Sequence, residues 1–98
     1  MNEMVVEEIV KQLGGLWFIL MTGAYDFLAL DSGVRFKLPD DEGLTKQGIN
    51  LVEVILTPSG TYRVRFLKGA ALIREHEDIY NDQLQELFTS ETGLATHL

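Results

Sequence analysis

The sequence predicts an α+β domain: a bent antiparallel sheet or small open barrel of five to six strands, flanked by N- and C-terminal helices. Three observations lead there. Apolar residues recur at helical spacing only near the two ends, the interior breaks into short alternating or wholly apolar runs, and Gly, Pro, Asp and Ser punctuate those runs at hairpin distances. No strand alternates with a crossover helix, so the chain does not read as a parallel α/β sheet. At 98 residues it is long enough for one core, so residues 1–98 form a single domain.

The elements follow in order. Met4, Val5, Ile9, Val10 and Leu13 lie opposite Glu7, Glu8, Lys11 and Gln12, which predicts an amphipathic helix over residues 3–13, stopped by Gly14-Gly15. Leu16 to Thr22 is short, apolar and aromatic, and is expected to be a strand buried on both faces. Tyr25 to Leu30 is a second strand, and Asp31-Ser32-Gly33 a turn, because Asp and Ser bond their own backbone and Gly accepts positive φ. Val34 to Leu38 alternates, with Arg35 and Lys37 opposite Val34, Phe36 and Leu38, and Pro39 ends it by removing a ladder donor.

Residues 39–48, with Asp40, Asp41, Glu42 and Gly43, read as a surface loop and the first site of proteolysis. Asn50 to Thr57, a Pro58-Ser59-Gly60 turn and Thr61 to Leu67 form the clearest hairpin, with Tyr62, Val64 and Phe66 opposite Arg63 and Arg65. Ala70 to Glu75 is expected to be a sixth strand. Tyr80, Leu84, Leu87, Phe88 and Glu91 follow helical spacing, with Asp78 as N-cap, Gly93 as the left-handed stop and Leu94 folding back on Phe88 in a Schellman closure.

Composition narrows the setting. With 46% apolar residues and nine aromatics, the chain has the material for a packed core. It has no cysteine, which excludes disulfide frameworks and thiolate metal sites and points to a cytoplasmic home, the host cytoplasm if the protein is phage-encoded. Glu3, Glu7 and Glu8 stand where a signal peptide would be basic, and the longest apolar run, Leu16 to Met21, is far short of a membrane span. The net charge of −7 disfavours nucleic acid and anionic membranes and favours a basic partner.

Catalytic constellations are not legible. His76 and His97 are the only side chains with ordinary neutral-pH acid-base chemistry, and His97 stands beside the C-terminus. Ser32, Ser59 and Ser90 lack a nucleophile-elbow context, and there is no phosphate loop or dinucleotide fingerprint. Glu75, His76, Glu77 and Asp78 are dense in metal-ligand types, but on a strand only alternate members share a face, and one nitrogen is thin for zinc. The expectation is no enzyme, no cofactor and no metal. Trp17, Phe18 and Phe27 are expected in the core rather than as a base-stacking platform.

Two charged sets remain. Arg35, Lys37, Arg63 and Arg65 would lie together if their strands share a sheet, a face that could hold a phosphate backbone. Residues 75–98 hold six acids and no Lys or Arg, and Asp82, Glu86 and Glu91 fall on the last helix, where a row of carboxylates can occupy a basic or nucleic-acid-binding protein. Solvated faces account for both sets more plainly.

Read end to end, the order of residues resembles a family of small uncharacterised proteins encoded by bacteriophages and prophages. The likeness rests on Gln12-Leu13-Gly14-Gly15, Phe18-Ile19, Met21-Thr22-Gly23-Ala24, Phe27, Phe36-Lys37-Leu38-Pro39, Gly48-Ile49-Asn50, Thr61-Tyr62, Val64, Phe66, Tyr80, Leu87-Phe88-Thr89 and Thr92-Gly93-Leu94. The sequence departs from that family at Tyr25-Asp26, where a Lys-Asn pair is usual. The resemblance implies a phage origin, and phage genomes carry small acidic accessory proteins that block host factors, anti-CRISPR proteins among them.

The functional expectation is therefore a non-enzymatic accessory protein that binds a basic protein partner through Asp82, Glu86 and Glu91, in one form a host-defence inhibitor. The alternatives are a single-stranded nucleic-acid binder using the four sheet bases, or an assembly component that forms homo-oligomers through a sheet edge or the Leu16 to Met21 segment.

Overall fold

A computed structural model describes residues 2–39 and 43–96. The acidic loop residues Asp40, Asp41 and Glu42 and the terminal His97 lie outside them.

The first helix, α1 (Asn2–Leu13), buries Ile9 and Leu13, four residues apart, and leaves Glu7, Glu8 and Lys11 exposed. It ends in a Schellman motif: the Gly15 N–H donates to Val10 O at 2.8 Å and the Gly14 N–H to Lys11 O at 3.1 Å, with Gly14 at φ 129°.

The chain then re-enters a helix, α2 (Leu16–Thr22), where a buried strand was expected. The aromatic, apolar composition that favours a strand is overridden by packing. Phe18 and Thr22, four apart, drop into the core from one helical face, and the double-glycine turn has already set the chain beside α1. A single α-turn hydrogen bond closes α2, from the Gly23 N–H to Ile19 O at 2.9 Å, with Gly23 at φ 71°.

Five strands follow in simple meander order: β1 (Tyr25–Leu30), β2 (Gly33–Lys37), β3 (Leu51–Leu56), β4 (Tyr62–Lys68) and β5 (Ala71–Ile79). Every neighbouring pair is antiparallel, and the sheet is open, with β1 and β5 at its edges. The count is five because Leu16–Thr22 is helical, and β5 runs on to Ile79, beyond the predicted end at Glu75. Gly33 is required by close approach, since a Cβ there would stand 2.1 Å from Val54 O on the adjacent strand.

Both edge strands are bulged. The β1 register shifts between Tyr25 and Leu28 around Asp26, at φ 54°, and β5 shifts opposite the Tyr62 to Val64 step around Asp78, at φ 58°. Such irregularities blunt edge-to-edge pairing. Asp78 is thus a bulge residue in β5 and not the predicted N-cap. The last helix starts instead through a 3₁₀ turn, Asn81–Gln83, where the Tyr80 N–H donates to Gln83 Oε1 at 2.9 Å.

The final helix, α3 (Leu84–Thr92), buries Leu84, Phe88 and Thr92. Gly93 ends it at φ 80°, with its N–H donating to Thr89 O at 2.8 Å. That is the one-bond left-handed stop rather than the Schellman pair expected, because the next N–H, of Leu94, is taken by Thr92 Oγ1 at 3.1 Å. Leu94 is buried in the same cluster as Phe88.

Helices cover one face of the sheet. The core lies between them and Val34, Phe36, Val52, Val54, Tyr62, Val64 and Phe66, and Phe18 packs edge-on to both Phe36 and Phe88 at 5.3 Å. Phe27 is half-buried and stacks on Phe36, whereas Trp17, expected inside, is exposed, as is Tyr80. No helix among the described residues is long and apolar enough to cross a membrane.

Candidate functional site

Three surfaces compete. The open sheet face is the first, and it does gather Arg35, Lys37, Arg63 and Arg65. Alternation sends each of them away from the core, and the antiparallel register sets them side by side. It also sets a carboxylate beside every one. Arg35 meets Glu53 at 3.5 Å, Arg65 meets Glu53 at 3.7 Å and Glu75 at 3.1 Å, Arg63 meets Glu77 at 2.9 Å, and Lys37 meets Asp26 at 3.3 Å. Four bases against four acids leave the face without net charge, so it offers no surplus of cations to a phosphate backbone.

The acidic helix is the second. Asp82 and Glu86 are exposed and, with Gln85, Thr89 and Ser90, line an open depression of about 480 Å³ on the outer side of α3. Glu91 is not part of that surface. It turns toward β5, where its carboxylate lies 3.2 Å from Arg74 Nε and 3.6 Å from His76 Nε2, and its side chain is 18% exposed. Helical spacing put three acids on one helix; Arg74 and His76 of β5 draw one of them away.

His76 faces inward, edge-on to Phe66 at 6.2 Å, and its Nε2 is buried without a hydrogen-bond partner, just beyond reach of Glu91. Its sequence neighbours diverge from it: Glu75 and Glu77 bond arginines on the open face, and Asp78 accepts from Thr61 Oγ1 at 3.4 Å. Among the described residues no group of three or more His, Asp or Glu is placed to hold a metal ion.

The third surface is α2, which the strand reading hid. Leu16, Trp17, Leu20 and Met21 are all exposed, on the side of the helix opposite Phe18 and Thr22. The signal was in the spacing: positions 16, 17, 20 and 21 form one helical face and 18 and 22 another, so both sides are apolar although only one can reach the core. Neither a protein-family model, nor a curated protein, nor a solved structure matches the chain.

Proposed function

We propose that this chain is a non-enzymatic binding protein that docks a basic protein partner through the outer face of α2. One observation carries the reading: in a seven-residue helix, Leu16, Trp17, Leu20 and Met21 are 70, 50, 63 and 38% exposed. Contiguous large apolar side chains on a small domain mark interaction sites, and Trp and Met are enriched at the centres of protein interfaces. Each side chain of this size stabilises a complex by about 1.5–3 kcal/mol when it passes from full exposure to full burial. Phe18 and Thr22 anchor the opposite side of α2 in the core, so the surface is presented on a fixed element and loses little entropy on binding.

The partner's charge follows from the chain's own ion pairs. Arg35, Lys37, Arg63, Arg65 and Arg74 are occupied by carboxylates of this chain. The surplus behind the net charge of −7 therefore rests on acids such as Glu7, Glu8, Asp31, Asp82 and Glu86, which form no ion pair among the described residues. That field recruits a basic surface over about a Debye length. An apolar groove rimmed by Lys or Arg is the matching chemistry.

The phage-type accessory reading, with defence inhibition as one form of it, is supported by the residue pattern. Its two most distinctive segments, Met21-Thr22-Gly23-Ala24 and Thr92-Gly93-Leu94, each end a helix. Affinity capture from bacterial lysate is the test, with wild type, Leu16→Ser/Leu20→Ser and Asp82→Ala/Glu86→Ala as baits. The reading expects a basic protein held by wild type and lost at least tenfold by the α2 variant. Equal retention by a folded α2 variant, or no retained protein at micromolar bait, overturns it.

A further inference from the structure

We propose that the open face of the sheet is a self-complementary surface on which a second copy of this chain packs by two-fold rotation. The observation is one of register. Arg35, Glu53, Arg65 and Glu75 occupy directly paired positions on β2, β3, β4 and β5, so a single rank across the sheet reads plus, minus, plus, minus. A two-fold axis running parallel to the strands between β3 and β4 maps this rank onto its own reverse. Stacked face to face, Arg35 then opposes Glu75 of the second copy, and Glu53 opposes Arg65 of the second copy. Every charge of this rank meets its opposite, which is the self-complementarity an isologous interface requires.

The neighbouring rank agrees. Lys37, Leu51, Leu67 and Leu72 are paired in the same way across the four strands, and the same axis lays Leu51 on the second copy's Leu67. Leu72, 53% exposed, is covered by the stem of Lys37 from the second copy. Because the four bases of this face are matched by Asp26, Glu53, Glu75 and Glu77, two copies meet without local repulsion. Their acidic helical layers point outward, away from each other.

Size sets the strength. Four strands, β2 to β5, about 4.8 Å apart and some six residues long present roughly 400 Å² of sheet, half the area per partner of a stable interface. The dimer is accordingly weak, forming between micromolar and millimolar protein, and it leaves α2 free on each copy.

Two charge swaps of identical composition decide the matter. Arg65→Glu/Glu75→Arg turns the rank into plus, minus, minus, plus, which sets like against like across the axis while keeping two of the three in-sheet pairs. Glu53→Arg/Arg65→Glu gives plus, plus, minus, minus, which still meets its opposite across the axis although it breaks two in-sheet pairs. Sedimentation velocity at physiological salt, from micromolar to millimolar protein, is expected to show wild type and the second swap approaching twice the monomer mass and the first swap remaining monomeric at least tenfold higher in concentration. Monomeric wild type throughout, a first swap that dimerises as wild type does, or a folded second swap that does not dimerise each overturn the proposal. Should the second swap unfold, concentration-dependent amide shifts of wild type decide: shifts across the outward positions of β2 to β5 support it, and shifts confined to α2 or the β1 edge overturn it.

Discussion

Phe18 and Phe88 meet edge to face with ring centroids 5.3 Å apart, and each begins the same helix-ending device. In α2 the Thr22 hydroxyl donates to Phe18 O at 2.7 Å and accepts from the Ala24 N–H at 3.2 Å. In α3 the Thr92 hydroxyl donates to Phe88 O at 2.8 Å and accepts from the Leu94 N–H at 3.1 Å. Both threonines are buried and both are followed by a left-handed glycine. Each hydroxyl satisfies a carbonyl and an N–H that leaving the helix would strand in the core.

Removing either ring should be costly. Phe18→Ala or Phe88→Ala is expected to destabilise by about 3–5 kcal/mol, since each leaves a cavity in the packed face. A double-mutant cycle in urea should return a coupling of about 0.5–1.5 kcal/mol for the edge-to-face pair. Strictly additive losses would show that the rings share a core without interacting.

The threonines are predicted to matter as hydrogen-bond carriers rather than as space fillers. Thr22→Val and Thr92→Val keep the shape but orphan the Ala24 and Leu94 N–H groups, at a cost of about 1–3 kcal/mol each. Thr→Ser restores both bonds and should recover most of the loss. A valine variant that melts with wild type would remove the hydroxyl's role.

Within the acidic set the three carboxylates should separate. Asp82→Ala/Glu86→Ala is expected to shift stability by no more than about 0.5 kcal/mol, as isolated surface charges do. Adding Glu91→Ala should lower the melting temperature measurably, because Arg74 and the buried His76 Nε2 lose their only nearby carboxylate among the described residues. If all three behave alike, the inward placement of Glu91 is wrong.

Tyr62 links stability to alkaline pH. Burial pushes its phenol above the ordinary 10.0, reinforced by the charge of Glu8, and the 2.7 Å bond that the hydroxyl donates to Gln12 Oε1 can be made only by the neutral phenol. The folded state thus resists ionisation more than the unfolded chain does. The contribution is intact below pH 10.0 and is lost as pH rises through the raised folded value. Tyr62→Phe should cost about 1 kcal/mol at neutral pH through the Gln12 bond, yet flatten the fall in stability above about pH 10. Chemical denaturation of both proteins at neutral and alkaline pH measures this, and parallel pH profiles would contradict it.

Local chemistry was enough to specify much of this molecule. The 3.6-residue period of Ile9 and Leu13, the strict alternation of Phe36 with Arg35 and Lys37 and of Val64 with Arg63 and Arg65, and the turns at Gly33 and Gly60 act within a few residues. They determine helices at the ends and short antiparallel strands between, and the meander order came from the tertiary structure. The alternation also put each pair of sheet bases opposite its own strand's apolar residues, and the pairing of β2 and β4 with β3 then brought the two pairs onto one face. What it left open was everything that depends on a partner from another element. Whether Leu16–Thr22 became strand or helix was settled by Phe36 and Phe88, which accept Phe18 from one side only. Whether the sheet bases stood free was settled by strand register, which put Glu53, Glu75 and Glu77 beside the arginines. Glu91 left the acidic surface because Arg74 and His76 of β5 stand beside its carboxylate. A sequence states which groups are charged or apolar; contacts between residues distant in the chain decide which of them are already satisfied and which, like the outer face of α2, are left for something else to cover.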